Sequence, residues 1–216
     1  MAYDLEEQEQ LDSIKAFWRK YGNLLTWVLI VALLGYVAWS GWNVYQRKQA
    51  TQAAQLYEEQ QKAVDAKDNA KVLRAATDMQ DKFSRTAYAQ MSGLVAAKTA
   101  FEANDVDHAK QQLQWVVDHG RDIEYRAIAS IRLAGILLDE KAYDDALKLL
   151  GSDFPPQFAA AVADRKGDVL AAQGKLDLAR AAYEQALKQT DEHNPARKLI
   201  ELKFDAIGGV TANAAA

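Results

Sequence analysis

Between Lys20 and Arg47 the chain runs for 26 residues without one Asp, Glu, Lys or Arg. No other feature restricts the fold so strongly. Its centre, Leu24–Trp42 (LLTWVLIVALLGYVAWSGW), holds 19 residues. At about 1.5 Å of rise per residue these cover roughly 28 Å, close to a hydrocarbon core of about 30 Å. Backbone groups in lipid must be satisfied within the segment, so a single span of this length is a helix. Trp18 and Tyr21 flank one end, and Trp39, Trp42 and Tyr45 the other, as in interfacial aromatic belts. Two competitors fit less well. A buried helix of a soluble core has no need of paired belts. A cleaved signal peptide has a short basic lead and a small-x-small cleavage site, whereas residues 1–20 carry five acids and three bases and no such site follows. The expectation is an uncleaved signal anchor over residues 21–46, behind a short tail over 1–20.

Averaged over 216 residues the span disappears. Mean hydropathy is only −0.30 because 26% of residues are charged. The formal charge of −4 divides into −2 for residues 1–20, zero for 21–46 and −2 for 47–216. The absence of cysteine excludes a disulfide scaffold, thiolate metal sites and cysteine nucleophiles, and leaves the compartment open. A pI near 5.5 argues against nucleic acid as a partner. Forty alanines against 11 Gly and 3 Pro point to helix. Charge alone sets the orientation weakly: Lys15, Arg19 and Lys20 precede the span and Arg47 and Lys48 follow it, a small excess on the N-terminal, cytoplasmic side. Within the span Ala32, Gly35, Ala38 and Gly41 recur at every third residue. Such a stripe would seat a second transmembrane helix closely; a span rich in small residues also produces it by chance.

Beyond Arg47 the apolar spacing is helical throughout. Val64, Leu73, Met79 and Phe83 fall on early helices around a polar break at Asp65–Asn69; Pro155–Pro156 opens a later helix, and Asn194–Pro195 forms an N-cap followed by proline. Residues 208–216 form a tail predicted to fray, with Val210 its one candidate core residue. A repeat emerges when the helices are overlaid. Ala97 and Ala109, Ala134 and Ala146, and Gly167 and Ala179 each lie twelve apart. Val106, Tyr143 and Leu176 stand three before the second member, and Leu113, Leu150 and Tyr183 four after it. Polar turns at Asn104-Asp105, Asp139–Lys141 and Gly174-Lys175 separate the members, and the sets are 37 and 33 residues apart. Antiparallel helices approach closely only where both carry small side chains, with larger ones filling the space a turn away. One such pair cannot bury its own apolar face, so pairs stack.

Arg165–Leu187 (RKGDVLAAQGKLDLARAAYEQAL) resembles a tetratricopeptide repeat, with Gly167, Gly174, Ala179, Tyr183 and Ala186 at its signature positions. It departs from the pattern at Lys166, where leucine is usual, and in the late Pro195. The other two sets match less well, and residues 51–87 only as an atypical helical pair. The fold class expected is all-α: the transmembrane helix followed, over 47–207, by a tetratricopeptide-like α-solenoid of antiparallel helix pairs. The whole chain also resembles a particular family. An acidic tail precedes Phe17-Trp18-Arg19-Lys20-Tyr21-Gly22, one span follows, and then a domain containing Ser84–Phe101, Ala127–Leu147 and the segment above. This layout is similar to that of the ancillary SecYEG translocon subunits of Gram-negative bacteria. The resemblance implies an inner-membrane, single-pass protein with a cytoplasmic N-terminus and periplasmic repeats. Its implied partners are the SecYEG translocon, a membrane-anchored periplasmic chaperone resembling a prolyl isomerase, and translocating proteins.

Catalytic chemistry finds no foothold in the sequence. His108 and His119 are eleven apart, about 16 Å along one helix, and His193 stands in a polar turn, so a metal site is not expected. Asp105, Asp107, Asp144, Asp145 and Asp177 fall where second helices begin, as caps and dipole partners. Neither a nucleophile elbow nor a phosphate-binding glycine loop occurs, so neither enzyme activity nor a cofactor is expected. What remains is binding. First helices of tetratricopeptide pairs line a concave groove, and by that template Lys98, Phe101, Glu102, Ile131, Asp139, Asp164 and Asp168 face it. The same residues could equally be solvated or packed between repeats. Groove acids would favour basic partner segments. The expected role is a scaffold joining the Sec channel to periplasmic chaperones. The alternative is an assembly or stability subunit of another envelope complex, held mainly through the span.

Overall fold

The computed structural model describes residues 2–209, with side chains from Leu11 onward. The expectation for Val210 and the residues after it lies outside these. The chain divides into two units, Met1–Thr51 and Gln52–Ala216. Helix α1 runs from Ala2 to Asp65.

In the first unit α1 carries the apolar run. It is the one helix among the described residues long and apolar enough to cross a membrane, and its most apolar window is 0% buried. Leu24, Trp27, Leu29, Val31, Leu34, Tyr36, Val37 and Trp39 all stand exposed around the helix. A helix apolar on every face and packed against no protein is suited to lipid. Aromatic pairs mark the two ends. Phe17 and Tyr21 lie 5.1 Å apart with the Lys20 ammonium 5.3 Å from the Tyr21 ring; Trp42 and Tyr45 lie 6.0 Å apart. A Cβ on Gly35 or Gly41 would meet nothing within 4 Å.

The second unit is a stack of helix pairs. After the last turns of α1 come α2 (Asn69–Phe83), α3 (Ala87–Glu102), α4 (Val106–His119), α5 (Ile123–Asp139), α6 (Tyr143–Leu150), α7 (Ala159–Ala172), α8 (Leu176–Gln189) and α9 (Pro195–Ala206). A 3₁₀ turn, Pro156–Phe158, precedes α7, so the paired prolines lead into the helix rather than open it directly. Asn194 caps α9 as expected, its side chain accepting from the Ala196 N–H at 2.9 Å.

One turn is used four times. Lys67, Asn104, Lys141 and Gly174 adopt positive φ, between 55° and 75°. Behind each, the next N–H reaches back to a carbonyl five residues earlier: Asp68 to Ala63, Asp105 to Ala100, Ala142 to Leu137 and Lys175 to Leu170, at 2.8–2.9 Å. That left-handed closure satisfies the last carbonyls of the first helix. The same four residues then offer their carbonyls to start the second helix, accepting from Val72, Ala109, Ala146 and Ala179. The repeat spacing is therefore 37, 37 and 33, and the pair formed by α1 and α2 is a repeat in full register.

That register explains why the first pair is atypical in sequence. The residues in the places of Ala97 and Ala109 are Gln60 and Val72, both fully buried. In the later pairs Ala97, Ala109, Ala134, Ala146 and Ala179 are all at most 2% exposed, and larger residues surround the crossing. In the first pair the sizes are reversed, and small Ala76 takes the place of Leu113. The Gln60 amide pays its way by donating to the carbonyls of Ser92 (3.1 Å) and Val72 (3.3 Å), so it joins the first pair to α3. Replacing Gln60 with Ala is expected to cost about 2 kcal/mol, from the cavity and two lost hydrogen bonds. A lowered thermal midpoint of the purified full-length chain is the check.

Candidate partner-binding groove

Helices α3, α5 and α7 are the first members of successive pairs, and each contributes to the wall of one cavity. This cavity, of about 420 Å³, is lined by Ala97, Lys98 and Phe101 of α3, Leu113 of α4, Arg132, Gly135, Ile136 and Asp139 of α5, and Arg165 of α7. Its floor is apolar because Ala97, Leu113 and Ile136 also belong to the central core, with Leu94, Val116 and Leu133. Phe101, on the cavity wall, is half exposed.

Of the seven groove candidates, the structure places Lys98, Phe101 and Asp139 on the cavity wall. Glu102 stands one turn beyond Lys98 and pairs with it at 3.7 Å. Ile131 packs against the cluster formed by Ala134, Ala146, Leu150, Val162 and Val169. Asp164 and Asp168 are drawn together elsewhere. Lys203 of α9 donates to both oxygens of Asp164 (2.9 and 3.0 Å) and to Asp168, and the Tyr183 hydroxyl donates to Asp168 at 2.9 Å. These acids are thus engaged in docking the last helix, 39 residues on in the Asp164–Lys203 case. The sequence reading missed Arg132, Gly135, Ile136 and Arg165. The repeat register contained a clue, since Arg132 and Arg165 are 33 apart and occupy the same place in successive repeats.

Several helix ends of the second unit are also fixed by side chains. Arg197 donates to the carbonyls of Leu187 and Thr190 at 2.9 and 3.0 Å, closing the end of α8, and Arg180 donates to Ile207 at 2.8 Å, closing α9. Gln90, buried in α3, accepts from the N–H groups of Arg121 and Asp122 and orders the turn into α5. The histidines are placed apart. His108 pairs with Asp105 at 2.7 Å, His119 stacks on Trp115 at 5.1 Å, and His193 is exposed near Asp191. Asp105 caps α4, while Asp107, Asp144, Asp145 and Asp177 lie in first turns of their helices.

Burial pushes the Asp164 carboxyl above the ordinary aspartate range, against the pull of Lys203. Burial likewise raises the Tyr183 phenol, with the Asp168 charge adding to it, so this ring remains a neutral donor. For Asp164 the consequence has a definite sign. A carboxyl that holds its proton more tightly when folded adds stability at low pH, and that contribution is lost as pH rises through the raised value. Asp164→Asn removes the slope. Its melting temperature relative to the parent should climb from the ordinary aspartate range up to the raised value and then level off. Lys203→Met should lower stability by about 2 kcal/mol at neutral pH, a figure discounted because Lys203 and Asp164 remain 25% and 22% exposed. Thermal melts across pH check both.

Comparison with known proteins fits this architecture. A family model described as a tetratricopeptide repeat-like domain matches residues 15–209, spanning the apolar helix and all the helix pairs. The ancillary SecYEG translocon subunit of Neisseria gonorrhoeae is 36% identical, the match covering 96% of this chain and 100% of that protein. The chain belongs to this family. Proteins with the same description from Haemophilus influenzae and Escherichia coli are each 28% identical, over 86% and 92% of this chain and 91% and 95% of their own lengths. No solved structure matches. One family match therefore covers both the apolar helix and the repeats, and the all-α class with a tetratricopeptide-like domain holds.

Proposed function

We propose that this chain is a non-enzymatic, single-pass subunit that associates with the Sec translocon and offers its repeats to partner proteins beside the channel. One observation carries the reading: the match to ancillary SecYEG translocon subunits extends over nearly the full length, so the span and the repeats occur together. On this reading the N-terminus is cytoplasmic, the span lies in the bacterial inner membrane, and the repeats face the periplasm. A membrane-anchored chaperone resembling a prolyl isomerase, or a chain emerging from the channel, occupies the groove. Anchoring the groove within reach of the exit raises its effective concentration there, so a modest affinity suffices.

A photoreactive residue in place of Lys98, on the cavity wall, tests the partner in intact membranes. Adducts with a translocon component or a periplasmic chaperone are the expected result; adducts with neither overturn the proposal. Orientation is tested independently, because the chain has no cysteine. A cysteine at Glu192, in the exposed turn before α9, should react with a membrane-impermeant maleimide from the periplasmic side. Protection until the inner membrane is opened would reverse the topology.

A further inference from the structure

We propose that the groove selects an acidic segment of its partner, seating an apolar side chain on Phe101 and Ile136 and an adjacent carboxylate on Arg132 and Arg165. This deepens the reading of the repeats as a partner-binding surface and rests on it. The ionic inventory of the cavity points this way. Its wall carries Lys98, Arg132 and Arg165 against one carboxylate, Asp139. Lys98 is partly answered by Glu102. Arg132 has no ion-pair partner among the described residues. Arg165 has a single 3.3 Å contact with Asp168, a carboxylate that already takes Lys203 and Tyr183, and its Nε is buried without an acceptor.

The two arginines are brought to one wall by the stacking of repeats. Arg165 lies with its guanidinium 3.5–3.7 Å from where a Cβ on Gly135 would stand, one turn beyond Arg132 on α5. An alanine at position 135 would meet the guanidinium in ordinary van der Waals contact, whereas a larger side chain would have to share that space. Both arginines line the same cavity beside an apolar floor, and only Arg165 has an ion-pair partner, so a ligand carboxylate would find donors there. The planar fork of arginine suits this partner, since it offers paired donors to a planar acceptor. Asp139, two turns from Arg132 on the same helix, disfavours a second acid at that end of the groove, which gives the ligand a polarity. The acids Asp164 and Asp168, which in sequence suggested a basic ligand, are held by Lys203.

The test uses the full-length chain in phosphatidylcholine nanodiscs, so that lipid charge does not sort the probes. The probes are three fluorescent peptides with one apolar core of Leu and Phe, flanked by Asp, Asn or Lys. The Asp peptide should bind about tenfold more tightly than the Asn peptide, and the Lys peptide most weakly. Arg132→Gln with Arg165→Gln should abolish the Asp preference, bringing the Asp and Asn peptides within about twofold of each other. Arg132→Lys with Arg165→Lys keeps the charge and removes the fork, so an intermediate preference is expected, and it serves if the glutamine variant melts below the assay temperature. Preference for the Lys peptide, an Asp preference that survives both variants, or no binding of any peptide overturns the inference. Crosslinking from position 98 to a translocon component would in each of those cases leave the proposed function standing.

Discussion

Gly167→Leu is expected to unfold the last repeat. A Cβ at position 167 would stand 2.5 Å from two carbons of the Tyr183 ring and 2.9 Å from a third, well inside any van der Waals contact. The ring cannot withdraw, because Tyr183 is 3% exposed, packs with Ala163, Ala179, Ala186 and Ile200, and donates its hydroxyl to Asp168. Alanine at 167 would gain up to about 1 kcal/mol in helix propensity and still lose, since overpacking typically costs about 1–3 kcal/mol. Leucine adds three further carbons and is expected to separate α7 from α8. The loss propagates to α9, whose Lys203 depends on two carboxylates of α7. Limited proteolysis should cut between α7 and α9 in the variant and spare residues 69–150. A variant with the parent's melting temperature and cleavage pattern would show that the α7–α8 crossing is not close.

The second large effect concerns the span. Val31→Arg with Leu34→Arg places two guanidinium groups near the centre of the uncharged run. Each costs about 2.5–3.5 kcal/mol on an insertion scale, roughly 5–7 kcal/mol together, while the favourable residues of the span contribute only about 0.3–0.6 kcal/mol apiece. Neither arginine has an acidic partner, because residues 21–46 contain none. The double variant should therefore leave the membrane fraction and be extracted by alkaline carbonate, whereas Gly35→Leu should remain. Retention of the double variant would mean that the run does not cross the bilayer. Loss of the Gly35→Leu protein's co-purifying partner, with its membrane retention intact, would instead support contact through Ala32, Gly35, Ala38 and Gly41.

The groove was only partly legible in sequence. Lys98, Phe101 and Asp139 follow from the template because they lie on first helices whose register the alanines fix. Asp164 and Asp168 satisfy the same register, but their surroundings depend on α9, which carries no copy of the repeat pattern. Arg132 and Arg165 stand far apart in the chain, and nothing local shows that Gly135 leaves room for one beside the other.

What the sequence determined by itself are the properties that depend on neighbours within a turn or two. An uncharged run marks the spanning helix, polar turns mark the pair boundaries, and alanines twelve apart mark the crossings, since each pair brings its own two faces together. The sequence also marked residues 51–87 as an atypical pair; tertiary structure alone decided that this pair keeps the repeat register and which charged residues line the cavity. Gln60 is accommodated where later pairs carry alanine because its amide nitrogen reaches the Ser92 carbonyl, 32 residues on. Asp164 and Asp168 do not line the cavity because Lys203 of α9 engages both, which leaves Lys98, Arg132, Arg165 and Asp139 as the charged residues on its wall. Both outcomes rest on contacts between stacked helices, and stacking is set by total volume and charge across the interface rather than by any local pattern.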